Sequence, residues 1–212
     1  AEEEEASAVE AETESAPEPE EETSAEPEEI VRTVDLLTKE SSYFADGVLD
    51  EYTVYVYEEE GNNPITKELY SDDGSLIEKR VFTYENKLPV KEEVFNESGK
   101  LQTYYVYEYD DSGNLISEAT YNGEDELQLK SVYEYNSEGK KEKWSIYSGS
   151  EALFSYTEYS YKDGQFVRAE TYTPGGELDV YFENDYNDAG NMTKSTQYDA
   201  DGDVLEFRTY EY

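Results

Sequence analysis

The chain has 212 residues, with 54 acidic, 16 basic and no His or Cys side chains, a formal net charge of −38 and a mean hydropathy of −0.94. So acidic a surface repels phosphate backbones and anionic lipid, so nucleic acid is excluded as a partner and membrane-surface binding disfavoured. The missing residue types remove disulfides, thiolate nucleophiles, zinc–thiolate clusters and the usual general base.

Charge and low hydropathy alone favour disorder, because such a chain cannot offset its conformational entropy. The aromatic content argues the other way: 23 Tyr, 7 Phe and 1 Trp each bury a large area when packed. No stretch reaches the roughly 18 apolar residues of a membrane span, so membrane insertion of this segment is not expected. The chain begins with Ala, which is read as a mature or trimmed segment lacking an upstream signal peptide.

Residues 1–29 contain Ala, Glu, Ser, Thr, Pro and one Val, with fourteen Glu and no base. Like charges repel and Pro stiffens, so this stretch reads as an acidic disordered spacer. Fully extended, it would reach about 95 Å at most. A solubility tail or a helix in the Ala/Glu-rich run 1–14 are the alternatives. Residues 30–42, with Ile30, Val31, Val34, Leu36 and Leu37, are expected to form a first strand or cap. They open a repeat domain spanning 30–212.

That domain is periodic. An aromatic-x-x-x-Gly-x-Leu motif opens at Tyr43, Tyr70, Phe95, Tyr172 and Tyr198, with degenerate copies at Tyr121 and Tyr147, spaced 25 to 27 residues apart. A second landmark lies eight residues after each motif's Leu or Val: Tyr57, Tyr84, Tyr109, Tyr135, Tyr161, Tyr186 and Tyr212 close the units. Two residues before each closing Tyr stands another ring (Tyr55, Phe82, Tyr107, Tyr133, Tyr159, Tyr210), with Asn184 the exception. Gly, Asn and Asp cluster between these segments and supply positive φ and local side-chain bonds. Each unit therefore reads strand, turn, strand, turn. The predicted fold is all-β: about seven tandem antiparallel hairpins of about 26 residues, forming one twisted meander sheet or an open solenoid. No 3.6-residue period competes with it after residue 42.

Tyr109-Asp-Asp-Ser-Gly-Asn-Leu115 and Tyr198-Asp-Ala-Asp-Gly-Asp-Val204 resemble the tyrosine-rich YD repeats of the RHS family. Residues 36–212 also resemble MORN-like hairpin repeats and repeat lipoproteins of gut Gram-positive bacteria. The period is longer than that of typical RHS units, and seven units are too few to enclose a cargo. The resemblance therefore implies hairpin architecture and not toxin encapsulation. With the spacer, it implies an extracellular location at a bacterial cell surface, anchored upstream by lipid or cell wall.

Strand alternation assigns faces. Counting back from each closing Tyr, the ring two residues before and the Leu or Val eight before are expected to share its packed face. Five residues before lies the opposite face, which carries Tyr52, Tyr104, Tyr156, Tyr181 and Phe207, with Lys79 and Lys130 in the other two units. This column either covers sheet backbone, packs under a second layer, or forms an exposed stripe that stacks on sugar rings or a partner strand. Trp144 is unique at its repeat position and joins the candidate binding residues.

No residues qualify as catalytic, cofactor-binding or metal-ligating. Asp199-x-Asp201-Gly202-Asp203 begins like a calcium loop, but the twelfth position is Tyr210 where a bidentate Glu is needed. A turn explains the same residues. Paired carboxylates are everywhere, but glycosidase chemistry needs a pocket that raises one pKa, and flat hairpin repeats seldom form one. A non-enzymatic binding or adhesion module for glycan or surface protein is expected, the alternative being a structural stalk or spacer. The last strand leaves an open sheet edge, so edge-to-edge self-association is expected as well.

Overall fold

The computed structural model describes residues 35–58 and 61–212. The expected spacer, and Ile30, Val31 and Val34, lie outside the described residues. The unit Leu36–Tyr212 contains fourteen strands. They are β1 (Lys39–Tyr43), β2 (Leu49–Tyr57), β3 (Pro64–Ser71), β4 (Leu76–Glu85), β5 (Leu88–Asn96), β6 (Leu101–Tyr109) and β7 (Leu115–Asn122). There follow β8 (Leu127–Tyr135), β9 (Lys141–Ser148), β10 (Leu153–Lys162), β11 (Gln165–Tyr172), β12 (Leu178–Tyr186), β13 (Met192–Asp199) and β14 (Val204–Thr209). Each strand pairs antiparallel with its sequence neighbours in one open sheet, β1 and β14 being its edges. At about 4.8 Å per strand the sheet extends about 60 Å in the hydrogen-bonding direction. Leu36 and Leu37 precede β1 without joining it.

The turns follow from their residues. Asn96 accepts from the N–H groups of Ser98 (3.1 Å) and Lys100 (3.0 Å), and Asp199 from those of Asp201 (3.1 Å) and Asp203 (2.8 Å). The Asp199 side-chain oxygen thus serves the turn. At Gly99 φ is 76°, in the left-handed region where Gly is unstrained. The degenerate units keep the same backbone with Asp125 (φ 68°) and Glu151 (φ 60°) at that place. Their glycines sit two residues earlier, where a Cβ on Gly123 or Gly149 would strike the carbonyl oxygen of Leu101 or Leu127. Two connections tighten to two residues, Asn86-Lys87 and Asp163-Gly164, all with positive φ, as hairpins between twisted strands favour.

Every pairing contains one register shift. It inserts an extra residue near the start of each strand from β2 onward, such as Asp50 between Leu49 (opposite Tyr43) and Glu51 (opposite Ser42). The insertion resets the alternation. Leu49 consequently lies on the face of Tyr52, because Tyr43 and Ser41 share a face and pair with Leu49 and Tyr52. The expectation that the motif's Leu shares the closing tyrosine's face is therefore corrected. A strict period of two does not survive a bulge.

Nor is there a packed face. Among the described residues no second layer covers either side of the sheet. The buried apolar side chains are Val94, Ala119 and Ala169, and the buried polar ones are Ser117, Ser131, Ser145, Asn184 and Thr196. These are mid-strand residues, mostly small, flanked by long neighbours, so burial here means being roofed by adjacent rings and aliphatic stems.

Candidate functional site

On the Tyr52 face, bulge and register build one recurring cluster. Each ring five residues before a closing Tyr stands directly opposite the next unit's opening ring: Tyr52 with Tyr70, Tyr104 with Tyr121, Tyr156 with Tyr172, Tyr181 with Tyr198. All four pairs stack, with centroids 4.7–5.1 Å apart and planes within 16°. A cation from the preceding strand covers the other side. Lys39 Nζ lies 3.7 Å from the Tyr52 centroid, Lys91 4.9 Å from Tyr104, Lys143 4.2 Å from Tyr156, and Arg168 Cζ 3.9 Å from Tyr181. Phe207 has the cation, Lys194 at 5.1 Å, but no stacked ring.

The cation position was missed by sequence reasoning, although it carries a signal. It lies four residues before each opening ring, and it is basic in the five units whose stripe position is aromatic. In the two units with Lys79 and Lys130 at the stripe position, it is Thr66 and Ser117. Lys79 instead pairs with Glu68 at 2.8 Å. A ring therefore occurs where a cation is available to cover it. Cation–π contacts at such half-exposed sites contribute about 0.5–1 kcal/mol. A double-mutant cycle on Lys143→Ala and Tyr156→Ala in chemical denaturation is expected to show a coupling of that size. Additive single effects would remove the role assigned to the cation.

The phenol ends are engaged too. The Tyr104 hydroxyl donates to the Asp125 carboxylate, which pushes the phenol pKa up to about 12. The hydroxyls of Tyr52, Tyr156 and Tyr181 lie beside the turn glycines Gly74, Gly176 and Gly202. The four tyrosine rings of the stripe are thus covered on both flat faces, and their hydroxyls reach the opening turn of the next unit.

Trp144 is on the opposite face from the stripe. It stands opposite Tyr133 and stacks on it (6.2 Å, 16°), and its Nε1 is buried without a hydrogen-bond partner among the described residues. In β5, Glu92 occupies the same repeat position, where it accepts from Arg80 Nη1 (2.6 Å) and the Tyr107 hydroxyl (3.1 Å). The structure therefore brings Tyr52, Tyr104, Tyr156, Tyr181 and Phe207 onto one face but not Trp144.

That second face also holds the closing tyrosines. Tyr57 donates to the carbonyl of Leu37, Tyr84 to Pro64, Tyr109 to Pro89, Tyr135 to Leu115, Tyr161 to Lys141 and Tyr186 to Phe166, all at 2.6–3.0 Å and all twenty residues back. Each bond ties the end of an even-numbered strand across to the start of the hairpin. This accounts for Tyr rather than Phe at these positions. Asn184, the exception two residues earlier, replaces a ring by an Nδ2 bond (3.3 Å) to the same Phe166 carbonyl.

Residues 9–165 match the model of a family described as "Uncharacterised protein". The chain belongs to that family. No curated protein matches it. Among solved structures it is similar to a chain of the Photorhabdus luminescens Tc holotoxin pore, at 15% identity and a TM-score of 0.42, covering 81% of this chain and 9% of that one. It is also similar to a porin-like protein from Bacteroides uniformis, at 12% identity and a TM-score of 0.31, covering 74% and 79%. A third is a Bacteroides fragilis protein of unknown function, at 14% identity and a TM-score of 0.30, covering 62% and 90%. The chain thus spans less than a tenth of the holotoxin chain it matches.

Proposed function

We propose that this chain is a non-enzymatic scaffold displayed at a bacterial cell surface, a β-sheet spacer held off its anchor by the acidic stretch 1–29. The observation that carries this reading is the engagement of the aromatic groups within the sheet. Four stripe rings have a tyrosine on one flat face and a cation on the other. Sugar recognition by stacking needs an open ring face, so this arrangement supports a structural role over glycan binding. Glu68, Asp73, Asp110 and Glu138 are held below their ordinary range by hydrogen bonds. A glycosidase acid needs the opposite shift, which supports the non-enzymatic reading.

Binding of a surface protein stays as a second reading because one observation favours it. The opening rings and motif leucines, such as Tyr121, Leu127, Tyr172 and Leu178, run along the Tyr52 face, and none of the described residues forms a layer above them. Contiguous apolar surface of this kind marks interaction sites. The immobilised chain probed with a glycan array and with mucus and bacterial cell-wall preparations separates the readings. The scaffold predicts no saturable binding. Saturable, salt-insensitive binding that is lost in folded Tyr104→Ala and Tyr156→Ala variants would overturn it.

A further inference from the structure

Many of the large exposed apolar side chains lie at the two sheet edges, although interior strands also expose some, Phe154 of β10 above all. On the β1 side, Tyr43 is 61% and Phe44 56% exposed; on the β14 side, Val204 is 56%, Leu205 55% and Phe207 60% exposed. Every residue of β14 is exposed. Among the described residues, nothing pairs with the outward backbone of either edge strand. The Tyr210 N–H donates inward to Thr193 O, so by alternation Phe207 and Thr209 turn their N–H and C=O groups outward. The Tyr55 N–H donates to Thr38 O, which places Lys39, Ser41 and Tyr43 on the outward side of β1.

The repeat supplies the register in which such edges meet. Inside the sheet, an even strand receives the following odd strand with Tyr52 opposite Tyr70, Tyr55 opposite Lys67 and Val56 opposite Thr66. β14 is an even strand without a successor among the described residues, and β1 is an odd strand without a predecessor. Carrying the internal register onto them sets Phe207 opposite Tyr43, Thr209 opposite Ser41, Tyr210 opposite Glu40 and Glu211 opposite Lys39. Phe207 is the one stripe ring lacking a stacked partner, and Tyr43 is an opening ring lacking a stripe ring. The pairing joins two rings, places a carboxylate opposite an ammonium, and sets no like charges against each other.

The geometry points to head-to-tail assembly of this chain, in which β14 of one copy adds antiparallel to β1 of a second copy in the register that the repeats use internally. The contact uses two different edges, so it does not close on itself and continues as a ribbon of copies. Net charge opposes it, since each copy carries −38, and added salt screens that repulsion. The assembly holds whichever role the faces serve.

Two edge prolines test this with the full-length chain. Thr209→Pro and Ser41→Pro each remove an outward donor and no internal one, so each blocks a single edge. Sedimentation velocity at about 0.5 M salt, where the screening length is a few Å, is expected to show wild-type mass rising with concentration beyond a dimer. Either variant alone should stay monomeric, and an equimolar mixture should form a dimer and nothing larger. A wild type that stays monomeric at the highest attainable concentration overturns the proposal. So does a Ser41→Pro protein that dimerises alone through β14, or a Thr209→Pro protein that dimerises alone through β1. Should a proline variant lose its β-sheet circular dichroism, Tyr43→Asp and Phe207→Asp, which leave the backbone unchanged and set a carboxylate against the facing ring, carry the same test with the same three readouts.

Discussion

Replacing Tyr135 by Ala is expected to lower the unfolding free energy by about 2–3 kcal/mol, and replacing it by Phe by about 1 kcal/mol. The first figure combines the loss of a half-buried ring with the loss of its hydroxyl bond to Leu115 O at 2.8 Å. The second isolates that bond. Strands contact only their sequence neighbours, so neither loss is shared with a common core. The damage should therefore appear first as faster amide exchange in the β7–β8 hairpin and its flanking strands. Tyr212 provides the control: it occupies the same repeat position but is 81% exposed, and Tyr212→Ala should change the urea midpoint little. If Tyr135→Phe is as stable as wild type, the hydroxyl contributes nothing and the invariance of Tyr needs another cause.

Alkali is expected to unfold the sheet cooperatively between about pH 10 and pH 12. Eleven phenols are held above their ordinary value near 10. Burial is the main cause for Tyr84, Tyr107, Tyr109, Tyr133, Tyr135, Tyr159, Tyr161 and Tyr172. Hydrogen bonds to Glu40, Glu68 and Asp125 lead for Tyr55, Tyr70 and Tyr104. A phenol pKa raised by folding means that the folded state holds its proton more tightly than the unfolded chain does. The associated stability is complete below the unfolded value and is lost as pH rises through the folded one, which for Tyr104 is about 12. Ionisation also removes the hydroxyl donors that lock the hairpins and adds charge to a chain already at −38. Tyrosinate absorbance and β-sheet circular dichroism should therefore change together and steeply. Gradual ionisation centred near pH 10 with the sheet intact would contradict this.

Much of the architecture was legible in the residues. The spacing of opening rings and closing tyrosines, with Asp, Asn and Gly between them, marked about seven hairpins of short strands in meander order, because turn chemistry and short-range alternation are local properties. The uniform Tyr at the closing positions, never Phe, was visible as well, and the structure supplies its cause in the bond twenty residues back. The sequence by itself determined the period, the strand order and the aromatic stripe at Tyr52, Tyr104, Tyr156, Tyr181 and Phe207.

The tertiary structure decided what depends on pairing between strands. One bulged residue in each strand from β2 onward, Asp50 the first of them, moves the motif leucines to the stripe's face, and nothing in the composition of a single strand signals that extra residue. Register placed Trp144 on the opposite face, against Tyr133. It also brought Lys39, Lys91, Lys143, Arg168 and Lys194 over the stripe rings from the neighbouring strand. The single sheet was expected beside an open solenoid, and the pairing of the strands decided for the sheet, without the packed face expected on its closing-tyrosine side. An apolar alternation states that a side chain avoids water, and only the fold shows that here it does so beside its neighbours and not beneath a second layer.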